Sequence, residues 1–323
     1  MADSPNAPDL LPLEGGDDAT AAGQPSTRRW LLGISLTVGL NLAITVAAFA
    51  GLSVQYDSLS LEQDKLSLEQ NKAVTEQVTS ASEMISSDDF NAQAVGFRAL
   101  ERVARISPPD RDRVVDLAEA YLTNGRPIAK DILGYTTEGP VSVANVGTQA
   151  AVDVIRGRGS EEDPEGPGER AFKLPGMVVE AVRFHGVVMR KTQGQMCTAR
   201  MSVWNKADLR GSDFWGCGFK WARFIDAKLN DVTLTEADLE DAVFTNADLT
   251  GAHLDRVRIN EKTVFRGADL SHATFAGTDL TNTNFADVKT IADADFSQAI
   301  GVEKARNLRN AQGAASAIWP WSK

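Results

Sequence analysis

At 323 residues the chain has room for two modest domains with accessory segments, and its 43% hydrophobic content is ordinary for folded protein. A formal net charge of -11 sets it against nucleic acid and anionic lipid as default partners. Its two cysteines, Cys197 and Cys217, are too few for a disulfide scaffold and match no zinc-ligand spacing.

Residues 1–29 are rich in Asp, Pro, Gly and Ala, which predicts a disordered tail. From Trp30 to Tyr56 there is no charged residue, and residues 30–54 exceed the roughly 20 apolar residues that cross a bilayer core. A single transmembrane helix is therefore expected, with Asn41 its most polar residue. Arg28 and Arg29 precede it, while Asp57, Glu62, Asp64 and Lys65 follow, so the positive-inside rule predicts a single-pass protein with a cytoplasmic N-terminus and an exported C-terminal body. A competing reading takes STRRWLL as a twin-arginine export signal with a cleavage site at Ala48-Phe49-Ala50; the length of the span favours an uncleaved anchor.

Residues 55–88 read as a helical stalk containing the seven-residue repeat LSLEQDK LSLEQNK. Leu59 and Leu61 fall on nearly opposite sides of a helix, so the stalk is either self-associating or a solvated extension of the span. Residues 89–157 form a helical module. Phe97, Leu100, Val103 and Ala104 make one apolar stripe, and Val114, Leu117, Ala118, Tyr121 and Leu122 make a second. Between them Ser107 is placed as N-cap, Pro108 as first helical residue and Asp110 as capping-box acid, with Gly125 and Pro127 as the stop. A third helix is predicted over 143–156, with Val143, Val146, Ala150, Val154 and Ile155 inward and Gly157 ending it. The set resembles a HEAT-type unit. Residues 158–173 are a charged, Gly- and Pro-rich linker.

The dominant signal occupies 174–300. Every fifth residue from Leu209 is large and apolar: Leu209, Phe214, Phe219, Phe224, Leu229, Leu234, Leu239, Phe244, Leu249, Leu254 and Ile259. The series slips by one residue and resumes at Phe265, then slips again before Ile291; going backwards it holds through Trp204, Met189, Phe184 and Val179 but fails at Gly194 and Ala199. Two residues earlier in each unit stands a small or β-branched residue, as at Ala207, Ser212, Cys217 and Ala222. A period of five fits neither an α-helix nor a flat strand. It requires a chain that turns a corner each unit, four corners closing a 20-residue square coil that stacks on its neighbours at about 4.8 Å. The fold class is thus α plus β-solenoid: one transmembrane helix, helical stalk and module, then a quadrilateral β-helix, with 301–323 as cap or tail. Outward positions are expected to be polar, among them Asp208, Asp238, Asp248, Asp269 and Asp279. The two cysteines stand 20 residues apart at the small inward position and are expected to be buried free thiols. The extra residue near Asn260–Val264 is expected to bulge at a corner and to be dispensable.

Ala207-Asp208-Leu209, Ala237-Asp238-Leu239, Ala247-Asp248-Leu249 and Ala268-Asp269-Leu270 resemble the A(D/N)LXX signature of pentapeptide-repeat proteins. The stretch VGFRALERVARISPPDRDRVVDLAEAYL is similar to a helical segment preceding such repeats in bacterial membrane members, which often carry two spans where this chain has one. The resemblance implies a right-handed β-helix and a non-enzymatic role. Some members mimic DNA, a mode that wants a uniformly acidic rod. Here residues 229–300 hold 13 acids and 5 bases, net -8, but residues 183–228 hold 9 bases and 3 acids, net +6. That asymmetry makes the DNA mimic a poor third reading.

No phosphate loop, GxSxG, HExxH or CxxC occurs, and His185, His253 and His272 occupy different positions of the unit. No catalytic, cofactor or metal residue is assigned. The function expected is a membrane-tethered scaffold or protein-interaction module with a protein partner and no nucleic acid; the alternative is a structural or envelope protein that self-associates through stalk or rod ends. Arg200, Met201, Trp215, Lys220, Trp221 and Arg223 are the candidate contact patch: two outward tryptophans among bases in an otherwise acidic chain.

Overall fold

The computed structural model describes residues 27–124, 134–136, 139–141, 145–158 and 170–321. The tail before residue 27, the stop at Gly125 and Pro127, Val143 and the linker through Glu169 lie outside them. The chain divides into two units, 1–69 and 70–323.

Helix α1 runs Thr27–Ser86 without a break. No proline interrupts it, and its Leu, Ala, Glu, Gln and Lys residues are good helix formers. In the first unit its large apolar side chains face outward, from Leu42 and Ile44 through Phe49 and Val54 to Leu66. Among the described residues α1 is the one helix long and apolar enough to cross a membrane, by length and composition.

In the second unit, α2 (Phe90–Ile106), α3 (Arg111–Thr123) and α4 (Val146–Arg158) share a small core. Asp89 caps α2, its carboxylate accepting from Asn91 N at 2.8 Å. Phe97, Leu100, Val103, Val114, Ala118, Leu122 and Ile155 are buried, as their spacing predicts, with Leu117 and Tyr121 packed at the margin. Two expectations change. Val146 is 45% exposed, because α4 begins there and its inward stripe starts at Ala150. Ser107 caps no backbone N–H; a short 3-10 turn, Pro108–Asp110, intervenes, and the serine hydroxyl donates to Asp110 at 2.6 Å. A small antiparallel pair, β1 (Gly134–Thr136) with β2 (Gly139–Val141), had no signal in the sequence reading.

From Lys173 onward the chain winds into stacked square coils. Single-residue parallel bridges link positions 20 apart, as in Val178↔Thr198, Val203↔Arg223 and Asp208↔Lys228. The N–H of Leu209 donates to Lys228 O at 2.9 Å, and the N–H of Lys228 to Ala207 O at 2.9 Å. Corners close by bonds such as Ala207 N to Trp204 O, 3.0 Å, and the second corner residue takes positive φ (Lys206 +58°, Trp221 +61°), as type II turns require. Register becomes 21 at Val243↔Val264, 22 at Asn284↔Arg306 and 23 at Asp295↔Ile318, so the ladder continues past residue 300.

The inward column fills the coil. Leu209, Phe214, Phe219, Phe224, Leu229, Leu234, Leu239, Phe244, Leu249 and Leu254 are each at most 1% exposed. One side carries a ladder of near-parallel rings, Phe184, Trp204, Phe224, Phe244, Phe265 and Phe285. The failure of the periodicity at Gly194 and Ala199 has a packing cause. The Trp204 indole lies 6.0 to 6.2 Å from the rings of Phe214, Phe219 and Phe224. A Cβ on Gly194 would meet the Phe214 ring at 2.6 Å. The volume missing at two positions is supplied by their neighbours. Ile259, expected inward, is only half-buried, because the inserted residue follows it directly.

Cys197 and Cys217 are buried, as expected, but are not free thiols: stacking brings their Cα atoms to 4.5 Å and the sulfurs form a disulfide. That separation lies within the range a disulfide spans.

Both ends of the coil are covered. At the first coil, Arg183 N donates to Gln149 Oε1 (2.9 Å), Gln149 Nε2 donates to Arg183 O (3.0 Å), and Arg156 adds a second donor to the same carbonyl (2.7 Å). The glutamine of α4 thus pairs with the open edge as a neighbouring strand would. Glu119 of α3 accepts from Lys173 N at 3.3 Å, and Arg170 is held by Asp116, Glu119 (3.0 Å) and Asp112 (3.5 Å). At the far end Trp319 stacks on Phe296 at 5.3 Å and Trp321 on Trp319 at 5.6 Å.

Candidate functional site

Each five-residue unit leaves three side chains outside the coil, and the twenty-residue register decides which of them become neighbours. The structure places the predicted patch on two adjacent corners and the side that follows them. Arg200 and Lys220 stand at one corner in an ion-pair ladder, Arg200 reaching down to Glu180 at 2.8 Å and Lys220 up to Glu240. The hydrogen bond to Glu240 is the main cause raising the Lys220 ammonium pKa. Trp215 belongs to the preceding corner, 39% exposed, with its backbone N–H donating to Asp213 Oδ1 at 3.0 Å. Met201 and Trp221 take the next position of the same corner, which leads into Arg223, and Lys220 Nζ sits 4.8 Å from the Trp221 ring centroid. The patch is therefore centred on the side of the coil that carries Arg223.

On that side the outward mid-positions read Arg183, Val203, Arg223, Val243 and Val264, each bridged to the next. Both arginines are exposed and the three valines half-buried. Neither guanidinium has an ion-pair partner among the described residues. About half of the other described bases on the coil are paired, among them Arg190 and Arg210 with Asp208, Arg256 with Glu236, Arg258 with Asp238 and Lys289 with Asp269. Ile225 lies at the far corner of the Arg223 side. The valines and Arg183 were missed because the patch was drawn around tryptophans among bases, whereas this stripe alternates arginine with valine at a spacing of 20.

Asp208, expected to be an outward carboxylate, is only 4% exposed. Burial acts to raise its pKa, but the guanidiniums of Arg210 and Arg190 outweigh it and hold the carboxyl at about 2. The other repeat aspartates accept from the backbone N–H two residues on, as at Asp248 to Thr250 (3.2 Å), Asp269 to Ser271 (3.1 Å) and Asp279 to Thr281 (2.9 Å). They are corner-fixing groups. No cluster of metal-ligating side chains occurs among the described residues. A concavity of about 710 Å³ lies away from the coil, between α1 and α2, lined by Ala73, Gln77, Met84, Val95 and Ile106 among others.

The profile for pentapeptide repeats matches 8 copies over residues 205–241, 222–260 and 263–300. Solved structures similar to the coil include a pentapeptide repeat protein, Rfr23, from the cyanobacterium Cyanothece 51142 (18% identity, TM-score 0.29, 30% of this chain and 67% of that one). Another is a pentapeptide repeat protein of the Arabidopsis thaliana thylakoid lumen (25% identity, TM-score 0.24, 32% and 66%). A third is full-length QnrB1, a plasmid-mediated fluoroquinolone resistance protein (17% identity, TM-score 0.21, 44% and 82%). The chain thus spans about two thirds of the first two. A search of curated protein sequences returns no match.

Proposed function

We propose that this chain, a member of the pentapeptide-repeat proteins by residues 205–300 of its coil, is a non-enzymatic interaction module tethered to a membrane by α1. The observation that carries the reading is the contrast between the inside and outside of the coil. The interior is filled by packed side chains, leaving the sides to interact, and one side gathers Met201 and Trp221 beside an arginine–valine stripe whose guanidiniums have no ion-pair partner among the described residues. Trp and Arg are the residues enriched where partners dock. Tethering is supported by the exposed apolar run Leu42, Ile44, Val46, Phe49, Leu52 and Val54, a surface that water would leave unsatisfied. Arg28 and Arg29 before the span favour a cytoplasmic N-terminus and an exported coil, and the disulfide suits an oxidising compartment.

The experiment is fractionation of cells expressing the full chain, with a protease-accessible tag after Lys323 and photo-crosslinkers placed on each side of the coil. Carbonate-resistant membrane association, external tag cleavage and capture of a protein at the Arg223 side are expected. Recovery in the soluble fraction would remove the tether, and absence of capture on every side would remove the interaction role. The DNA-mimic alternative is disfavoured because several acids of the acidic half are bound by Arg256, Arg258 and Lys289.

A further inference from the structure

Two stripes in this chain have matching repeats. On the coil, Arg183, Val203, Arg223 and Val243 alternate base and apolar residue, one per coil, at about 4.8 Å steps. On α1, Glu62, Glu69, Glu76 and Glu83 recur every seven residues, with Leu59, Leu66 and Ala73 falling between them on the same face. Seven helical residues rise about 10.5 Å, so this stripe alternates apolar residue and acid at about 5.3 Å. All four glutamates are exposed, and Leu59 and Leu66 are 63% and 57% exposed. None of the glutamates has an ion-pair partner among the described residues.

We infer that the Arg183–Val243 side of the coil binds the α1 stalk of a second copy of this chain, laid along the coil axis. In this register Glu62 meets Arg183, Leu66 packs on Val203, Glu69 meets Arg223 and Ala73 packs on Val243. The three helical steps, of four, three and four residues, rise about 16.5 Å against about 14.4 Å on the coil, and arginine and glutamate side chains absorb the difference of about 2.1 Å. Met201 and Trp221 on one rim and Ile225 on the other give the helix apolar shoulders. A paired helix face explains why the repeat keeps glutamate and leucine in fixed alternation where a solvated helix needs only polarity. The inference rests on the reading that the sides of the coil are its binding surfaces, and it names the partner.

The test uses two full-length copies in one membrane, one isotopically heavy, with a photo-crosslinking residue replacing Val243 in the light copy. The expected product joins the light coil to a heavy peptide within residues 59–83. Arg183→Glu with Arg223→Glu in the light copy should lower its yield about tenfold, and Glu62→Lys with Glu69→Lys in the heavy copy should restore it. An unchanged coil melting temperature in the arginine variants separates lost docking from lost folding. A product confined to one copy, or one indifferent to the charge reversal, overturns the inference. Capture of a different protein overturns it while leaving the interaction-module reading intact; no capture from any side of the coil removes both.

Discussion

Single residues in this coil are judged by where their unit places them. Phe244 is fully buried between Phe224, 5.0 Å below, and Phe265, 5.4 Å above, while Thr245 beside it turns outward. Phe244→Asp is expected to cost more than about 3 kcal/mol, since it loses a buried ring and strands a charge. Thr245→Asp is expected to stay within about 0.5 kcal/mol. Chemical denaturation of the two variants checks this, and equal losses would refute the register. Asp208 makes a second test. Its folded pKa, about 2, lies below the ordinary 3.8, so its stabilisation is fully present above 3.8 and is lost as pH falls towards 2. Asp208→Asn should destabilise the protein at neutral pH, leaving Arg190 and Arg210 without their shared acid, and the gap to the parent should narrow between pH 4 and pH 2. Unfolding midpoints across that range decide it.

At the scale of an element, the inserted residue after Ile259 is better built than a dispensable bulge. Asn260 Oδ1 accepts from the N–H groups of Lys262 (3.0 Å), Thr263 (3.1 Å) and Asp241 (3.3 Å). Thr263 then enters the small inward position and donates to Leu239 O at 3.1 Å. Deleting Lys262 is therefore expected to lower the melting temperature, and Asn260→Ala to cost about 1–3 kcal/mol by leaving these donors unpaired. Tolerance of both changes would return the segment to a mere bulge. The same inward position is polar elsewhere: Ser212 accepts from Thr192 N at 3.1 Å and Thr278 from Val257 N at 3.2 Å. Cys217 sulfur takes that place opposite Cys197 N, at 3.1 Å. A small residue there is thus a link between coils as well as a space-saver.

Across the whole molecule, a solenoid must deal with two open ends, and here the helical module covers one of them. Gln149→Ala with Arg156→Ala would leave Arg183 N–H and C=O without their protein partners. Amide exchange at Arg183 should accelerate while that of Leu229, deep in the stack, stays slow; uniform acceleration would mean the cap stabilises every coil rather than the first. The sequence by itself determined the square coil, its inward column, the two register slips and the existence of a long apolar helix. The helix follows from an uncharged run, and the coil from local periodicity, because a residue that must be buried every fifth position leaves its mark in the chain. Tertiary structure alone decided which outward bases find an acid, why Gly194 and Ala199 are small, that Asp208 is buried and Cys197 bonded to Cys217, and that α3 and α4 close the first coil. These depend on contacts between residues 20 or more apart in the sequence, where side-chain volume and hydrogen-bond partners are shared between coils and no local pattern records the sharing.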